Sequence, residues 1–224
     1  MEMVPFQSTV WAEIDRARDR DPEAYLNFVN KYRPAVVSFL QSQGMPKSDT
    51  EDLAQEVFLY IIRGNVLSKV DPKKGRFRNL ILAVTRNVIL NERRRKKAVK
   101  RGRGHTTISI DQAELPVPSP DGGEDQTFDR MWSRQLVAIA LKELSVANPH
   151  YYRALRLLLD GQTHKEVAHT MDKTSTEVNN YIHRAKAWIT RTVRRLIAEY
   201  CTNDSDYREE LEHLSKYLSN DGSV

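Results

Sequence analysis

The sequence predicts an all-α fold: two small helical domains joined by a flexible acidic linker. Three observations carry that expectation. Apolar residues recur every three or four positions through both halves of the chain. Helix-start signals precede most of these runs, as Asp-Pro or as Ser/Thr with Glu three residues later. Glycine and proline are few, and Pro116, Pro118, Pro120, Gly122 and Gly123 crowd into eight residues, where they interrupt helical sequence.

The elements follow in order. Residues 1–20 form an N-terminal extension in which "STVWAEIDRARDR" reads as a short helix. The first domain, 21–103, opens with Asp21 as N-cap and Pro22 at the first helical position. Its first stripe is Tyr25, Phe28, Val29, Tyr32, Val36 and Leu40, with Pro34 expected to bend the helix. Ser48 and Glu51 suggest a capping box before the stripe Leu53, Val57, Phe58, Ile61 and Ile62. Asp71-Pro72 and Gly75 mark a loop, and Phe77, Leu80, Ile81, Val84 and Val88 form the next stripe. Residues 104–127 are the linker, where "TTISID" could be a short strand but has no evident partner. The second domain, 128–200, starts with Phe128, Trp132, Leu136, Ile139, Ala140 and Leu144. Pro149 breaks the pattern, and Tyr152, Leu155, Leu158 and Leu159 lead to Gly161, a C-terminal cap. Two capping boxes, Thr163/Glu166 and, three residues after "THKEVAHTM" ends, Thr174/Glu177, start the last two helices of this domain. The second of these buries Val178, Ile182, Ala185, Ile189, Val193 and Leu196. In the tail, 201–224, Tyr207, Leu211, Leu214 and Leu218 make a narrow stripe that fits either a frayed helix or a docking segment.

Charge points to a polyanion. The 224 residues carry a net charge of +5. The linker has five acids and no base, and Thr202–Val224 has six acids against two bases, so the remainder stands at +14. Eight Lys or Arg lie within Arg93–Arg103. Like charges so dense repel one another on a bare helix, and contact with six phosphates gives a log–log salt slope of about −5. The single cysteine excludes an intrachain disulfide or a thiolate metal site and fits a reducing cytoplasm. No run is long and apolar enough to span a membrane, and the N-terminus lacks a signal peptide's apolar core. A cytoplasmic protein is expected.

"THKEVAHTMDKTSTEVNNYIHRAK" has the pattern of a helix-turn-helix: two short capped helices, a tight turn, and small Ala168 where they cross. Ser175, Thr176, Asn179, Asn180, His183 and Arg184 would face outward; Asn reads adenine edges, and Ser and Thr hold phosphates. An ordinary helical hairpin has the same spacing, but Lys186, Arg191, Arg194 and Arg195 continue down the helix and favour DNA. Glu51, Asp52, Gln55 and Glu56 form a polar patch in a basic domain; the helix dipole accounts for Glu51, and a basic protein partner would use the others. The six histidines are scattered, and there is neither a phosphate loop nor a nucleophile elbow, so no metal, cofactor or catalytic residue is expected. The chain reads as a binding protein and not as an enzyme.

"DTEDLAQEVFLYIIR", "KGRFRNLILAVTRNVILNERRRKK" and "YRALRLLLDGQTHKEVAHTMDKTSTEVNNYIHRAKAWI" together resemble a bacterial RNA polymerase sigma factor of the extracytoplasmic-function group, in a planctomycete-like form. The resemblance covers residues 22–102 and 128–199, both domains in the expected order. It implies that Asp52, Gln55 and Glu56 dock on the clamp helices of the polymerase β′ subunit. It implies that Arg76, Asn79, Arg86, Asn87, Asn91, Arg94 and Arg95 recognise and help melt the minus-ten promoter element. Ser175, Thr176, Asn179, Asn180, His183 and Arg184 would read the minus-thirty-five element, with the β flap held by the same domain. An anti-sigma factor is a further candidate partner. Departures at Leu80, Leu82, Ala83, Asn91, Asp172-Lys173 and Asn179-Asn180-Tyr181 prevent any promoter sequence from being carried over. Two rivals stand beside this reading: a helix-turn-helix regulator acting without core polymerase, and a helical nuclease, which would need a carboxylate or histidine cluster.

Overall fold

The structure, a computed structural model, describes residues 9–19, 21–63, 77–100 and 125–218. Arg76, the basic residues beyond Lys100, the "TTISID" segment and the Pro/Gly cluster lie outside the described residues. Every regular element among the described residues is an α-helix: α1 Thr9–Arg18, α2 Pro22–Ser42, α3 Thr50–Arg63, α4 Phe77–Lys100, α5 Gln126–Ala147, α6 Pro149–Leu159, α7 His164–Met171, α8 Ser175–Ala198 and α9 Asp204–Leu218. The all-helical expectation holds.

The caps explain most helix starts. Asp21 Oδ1 accepts from the N–H groups of Glu23 and Ala24 at 3.0 and 3.2 Å, with Pro22 inside the first turn. Thr163 with Glu166, and Thr174 with Glu177, close two complete capping boxes. Gly161 takes φ +95°, a conformation an L side chain rarely adopts, and ends the turn after α6. The third expected box is absent. The Ser48 hydroxyl donates to Asp49 at 2.7 Å, Glu51 pairs with Arg33, and α3 instead takes its first backbone bond from the Asp49 carbonyl. The Asp49 carboxylate, directly before the helix, is held by Ser48 and by Lys96 of α4. At the other linker end, Asp125 caps α5 through the N–H groups of Thr127 and Phe128.

The predicted stripes of both domains are mostly buried, but Tyr25, Tyr152 and Leu158 are only half-buried. Ile139 is half-buried as well, and Leu159, at the end of α6, is 39% exposed. The expected first and second domains share one hydrophobic cluster, running from Val10 to Leu214. At the seam the rings of Tyr32 on α2 and Trp132 on α5 stack 4.9 Å apart at 4°. Phe39 on α2 meets Phe128 on α5, and Phe77 on α4 meets Trp132 and Tyr200. A smaller cluster, Ala154, Val167, Ala168, Val178 and Ile182, joins α6, α7 and the start of α8. α8 therefore serves both cores: Val178 and Ile182 in the small one, Ala185 to Ile197 in the large one. The tail stripe is no frayed end. Leu214 is fully buried in the large core, with Tyr207, Leu211 and Leu218 packed against it.

Candidate nucleic-acid interface

Two faces carry the expected binding residues. The first belongs to α4. Its apolar side, Phe77, Leu80, Ile81, Val84, Val88 and Ile89, is buried. Arg86, Leu90, Arg93, Arg94 and Lys97 are exposed, and steps of three or four residues place them on one side of the helix. Leu90 is 46% exposed, an apolar spot among cations, a combination suited to phosphates flanking unstacked bases. Within the basic block, Arg93 donates to the Gln43 carbonyl at 2.9 Å, and Lys96 pairs with Asp49 at 2.7 Å. These contacts spend part of the block's charge on fixing α4 against the loop before α3. Arg95 pairs with Glu92 at 2.7 Å yet keeps its guanidinium two-thirds exposed. Arg86 pairs with Asp125, the cap of α5, at 3.2 Å.

The other α4 candidates lie deeper. Asn79 and Asn91 are half-buried, and Asn87 is 8% exposed. Asn87 and Asn91, with Glu56, Tyr60, Val84 and Val88, line a small recess between α3 and α4. Asn91 Oδ1 is buried there without a hydrogen-bond partner among the described residues. The flank of α3 partly covers the asparagines that the resemblance assigns to the minus-ten set. Burial pushes the Glu56 carboxyl above its ordinary range, a shift moderated by the Arg95 charge and reinforced by Glu92. On α3, Asp52 and Gln55 are exposed whereas Glu56 is half-buried, so the acidic patch is Asp52 and Gln55 with Glu56 at its edge.

The second face is the helix-turn-helix of α7 and α8. Its turn passes through Asp172 at φ +53°, a left-handed conformation that Asp tolerates better than most residues. The Lys173 N–H donates to the Ala168 carbonyl at 2.9 Å and closes the turn. Ser175, Thr176, Asn179, Asn180, His183 and Arg184 are all exposed along one side of α8, as the spacing predicts. Arg184 donates to the Tyr151 hydroxyl at 2.9 Å and lies over that ring, which also packs on Tyr181. Tyr151 and Tyr181 thus form an aromatic support for Arg184. The glutamates of both capping boxes are held below their ordinary 4.5 by hydrogen bonds from the backbone and hydroxyl of Thr163 and Thr174.

A third site was missed. Arg78 on α4 is buried against Asp129 on α5 and Glu210 on α9. Arg78 Nε donates to Glu210 Oε1 at 2.8 Å, and His213 Nε2 lies 2.8 Å from Asp129 Oδ2. Burial opposes the Arg78 charge, but Glu210 and Asp129 more than offset it, and its pKa is raised. A signal was present: Asp129 shares its face with Trp132, Ser133 and Leu136, and Glu210 with His213, Leu214 and Tyr217. Charged residues in an apolar register have to find partners when they are buried.

Among the described residues no three His, Cys, Asp or Glu side chains converge as a metal site, and no helix is long and apolar enough to cross a membrane. No curated protein and no solved structure matches the chain. Residues 28–99 match the family model described as Sigma-70 region 2. That span runs from Phe28 on α2 through α3 to the last residue but one of α4, and it holds the acidic patch and the α4 face together. On this geometry, residues 28–99, about a third of the chain, are similar to Sigma-70 region 2, a similarity that supports a sigma factor family.

Proposed function

We propose that the chain is a sigma factor of the extracytoplasmic-function group, planctomycete-like in its first domain, acting in the cytoplasm. It binds core RNA polymerase and directs it to particular promoters. Asp52 and Gln55, with Glu56 at the edge, dock on the β′ clamp helices. The outward face of α4, with Arg86, Arg94 and Arg95, takes the minus-ten element, with Asn79, Asn87 and Asn91 behind it. Arg76, beyond the described residues, completes that set. Ser175, Thr176, Asn179, Asn180, His183 and Arg184 read the minus-thirty-five element, and the same half meets the β flap. Residues 21–103 and 128–200 serve as the two working domains, with 104–127 between them. The reading is that of a binding protein without catalytic residues.

One observation carries this reading. A sigma-70 region 2 match and a doubly capped helix-turn-helix, with its polar face exposed, occur in one chain and in that order. Run-off transcription tests it. Core polymerase with this protein should initiate at promoters selected from random DNA by the reconstituted holoenzyme, and core alone should not. Failure to retain β and β′ in pull-down, with tight DNA binding by the free protein, would identify an operator-binding regulator instead.

A further inference from the structure

The family match ends at residue 99, and α9 lies far beyond it. Yet α9 is seated on both halves of the molecule through its charged side chains. Glu210 and Asp129 are fully buried, Arg78 is 3% exposed and His213 is 6% exposed at the side chain. Arg78 uses Nε and Nη2 on the two Glu210 oxygens, at 2.8 and 3.3 Å, and Nη1 on Asp129. The Tyr200 hydroxyl donates to Glu210 Oε1 at 3.1 Å and accepts from the Trp132 indole N–H at 3.4 Å. One contiguous polar network thus ties the half similar to Sigma-70 region 2, the first helix of the second half and the tail.

Such a network is an unusual way to gain stability. A buried ion pair contributes little over apolar residues of the same volume, but losing one partner is strongly destabilising. It also differs from an apolar contact in the open state, because its four groups resolvate in water when the contact parts. The network therefore holds α9 in one register while keeping the contact releasable.

Release is needed if both DNA faces serve one promoter, an inference that rests on the proposed function. Elements centred near minus ten and minus thirty-five are about 25 base pairs apart, roughly 85 Å at 3.4 Å per pair. In the closed molecule Asn180 connects to Arg86 down α8 to Tyr200, across to Phe77, whose ring is 5.9 Å away, and along α4. At 1.5 Å per residue along the helices, with two ring side chains added, that path is at most about 60 Å. The closed form cannot place both faces on straight promoter DNA.

We propose that α9 is an intramolecular clasp: Glu210 and His213, buried against Arg78 and Asp129, hold the two DNA-facing halves together in the free protein, and core polymerase binds by releasing it. Opening exposes the Tyr32–Trp132 seam, so the closed form dominates until polymerase covers that surface. While it dominates, apparent affinity for core is reduced by the fraction of molecules that are open. Any change that weakens closure then raises affinity by the same factor.

The test uses the full-length protein and core RNA polymerase. Backbone hydrogen exchange is measured with and without core. The expected result is that amides of Asp204–Leu218 and of Gln126–Ala147 near Asp129 exchange at least about tenfold faster in the holoenzyme. Bound protein whose α9 amides keep their free-state protection overturns the clasp and leaves the sigma reading intact. Protein that fails to bind core overturns the sigma reading instead. In a second arm, Glu210→Gln should raise apparent affinity for core by about tenfold or more. Unchanged or weaker affinity, in a variant with wild-type helix content, overturns the clasp. The exchange arm needs no variant, so a Glu210→Gln protein that loses helix content leaves the decision to it.

Discussion

Replacing Trp132 by alanine should destabilise the whole molecule and not merely the second half. The indole is 1% exposed. It stacks on Tyr32 at 4.9 Å and lies 5.7 to 6.0 Å from Phe128, Phe77 and Tyr200, so its neighbours come from α2, α4, α5 and the end of α8. Truncating a core tryptophan to alanine costs about 3–5 kcal/mol, and the near-parallel pair with Tyr32 places this site toward the upper end. At about 2–4 °C per kcal/mol for a chain of this size, melting should fall by roughly 6–20 °C. The indole N–H donates to the Tyr200 hydroxyl, and losing that donor in Trp132→Phe should cost about 1–3 kcal/mol. The assay is thermal unfolding followed by far-ultraviolet circular dichroism and by the fluorescence of the remaining tryptophans. Both probes should shift together. A loss under about 1 kcal/mol, the scale of a surface substitution, would refute the shared core.

Other expectations are more local. Asp52→Arg should weaken core polymerase binding about tenfold, close to 1.4 kcal/mol, with no change in melting, because the side chain is exposed; equal affinity in competition would remove the docking assignment. Arg184→Ala should weaken binding to all upstream elements and reduce the salt slope by about one, whereas Asn180→Ala should relax base preference at one position; selection from randomised promoters distinguishes the two. Thr174→Ala should cost the helix-turn-helix about 1 kcal/mol, seen as faster amide exchange in α7 and α8. The carboxyls of Glu166 and Glu177 are held low in the folded state, so their contribution is present above the ordinary 4.5 and is lost as pH falls through the folded value. Exchange in α7 and α8 should therefore accelerate on acidification, and less so in a Thr163→Ala/Thr174→Ala variant.

What could be read in the sequence is what local chemistry specifies. Asp21-Pro22, Thr163/Glu166, Thr174/Glu177 and Gly161 needed only neighbours within four residues, and the structure has each of them as expected. The outward set on α8 followed from a 3.6-residue period over a strongly amphipathic helix. Ser48 and Glu51 form no box because Ser48 bonds to Asp49, which Lys96 holds, and Glu51 pairs with Arg33 on another helix. The burial of Asn87 and Asn91 was not legible for a related reason: period locates a side of a helix, not the neighbour that covers it. The buried network was least legible. Arg78, Asp129, Glu210 and His213 span more than 130 positions of sequence, and the apolar register of Asp129 and Glu210 signals burial without naming the partners. Their pairing depends on how the halves meet, which no local pattern encodes.

Cys201 sits at that meeting. It is the chain's single cysteine, 1% exposed, directly after Tyr200 and within the core that both halves share. A thiol so enclosed reacts with a bulky alkylating reagent only from molecules that have parted at that point. The rate of its modification is then a clock for opening, read without any introduced label. In unmodified protein the ticks should be slow, and each factor by which a condition or a binding partner populates the parted form should appear as the same factor in the alkylation rate.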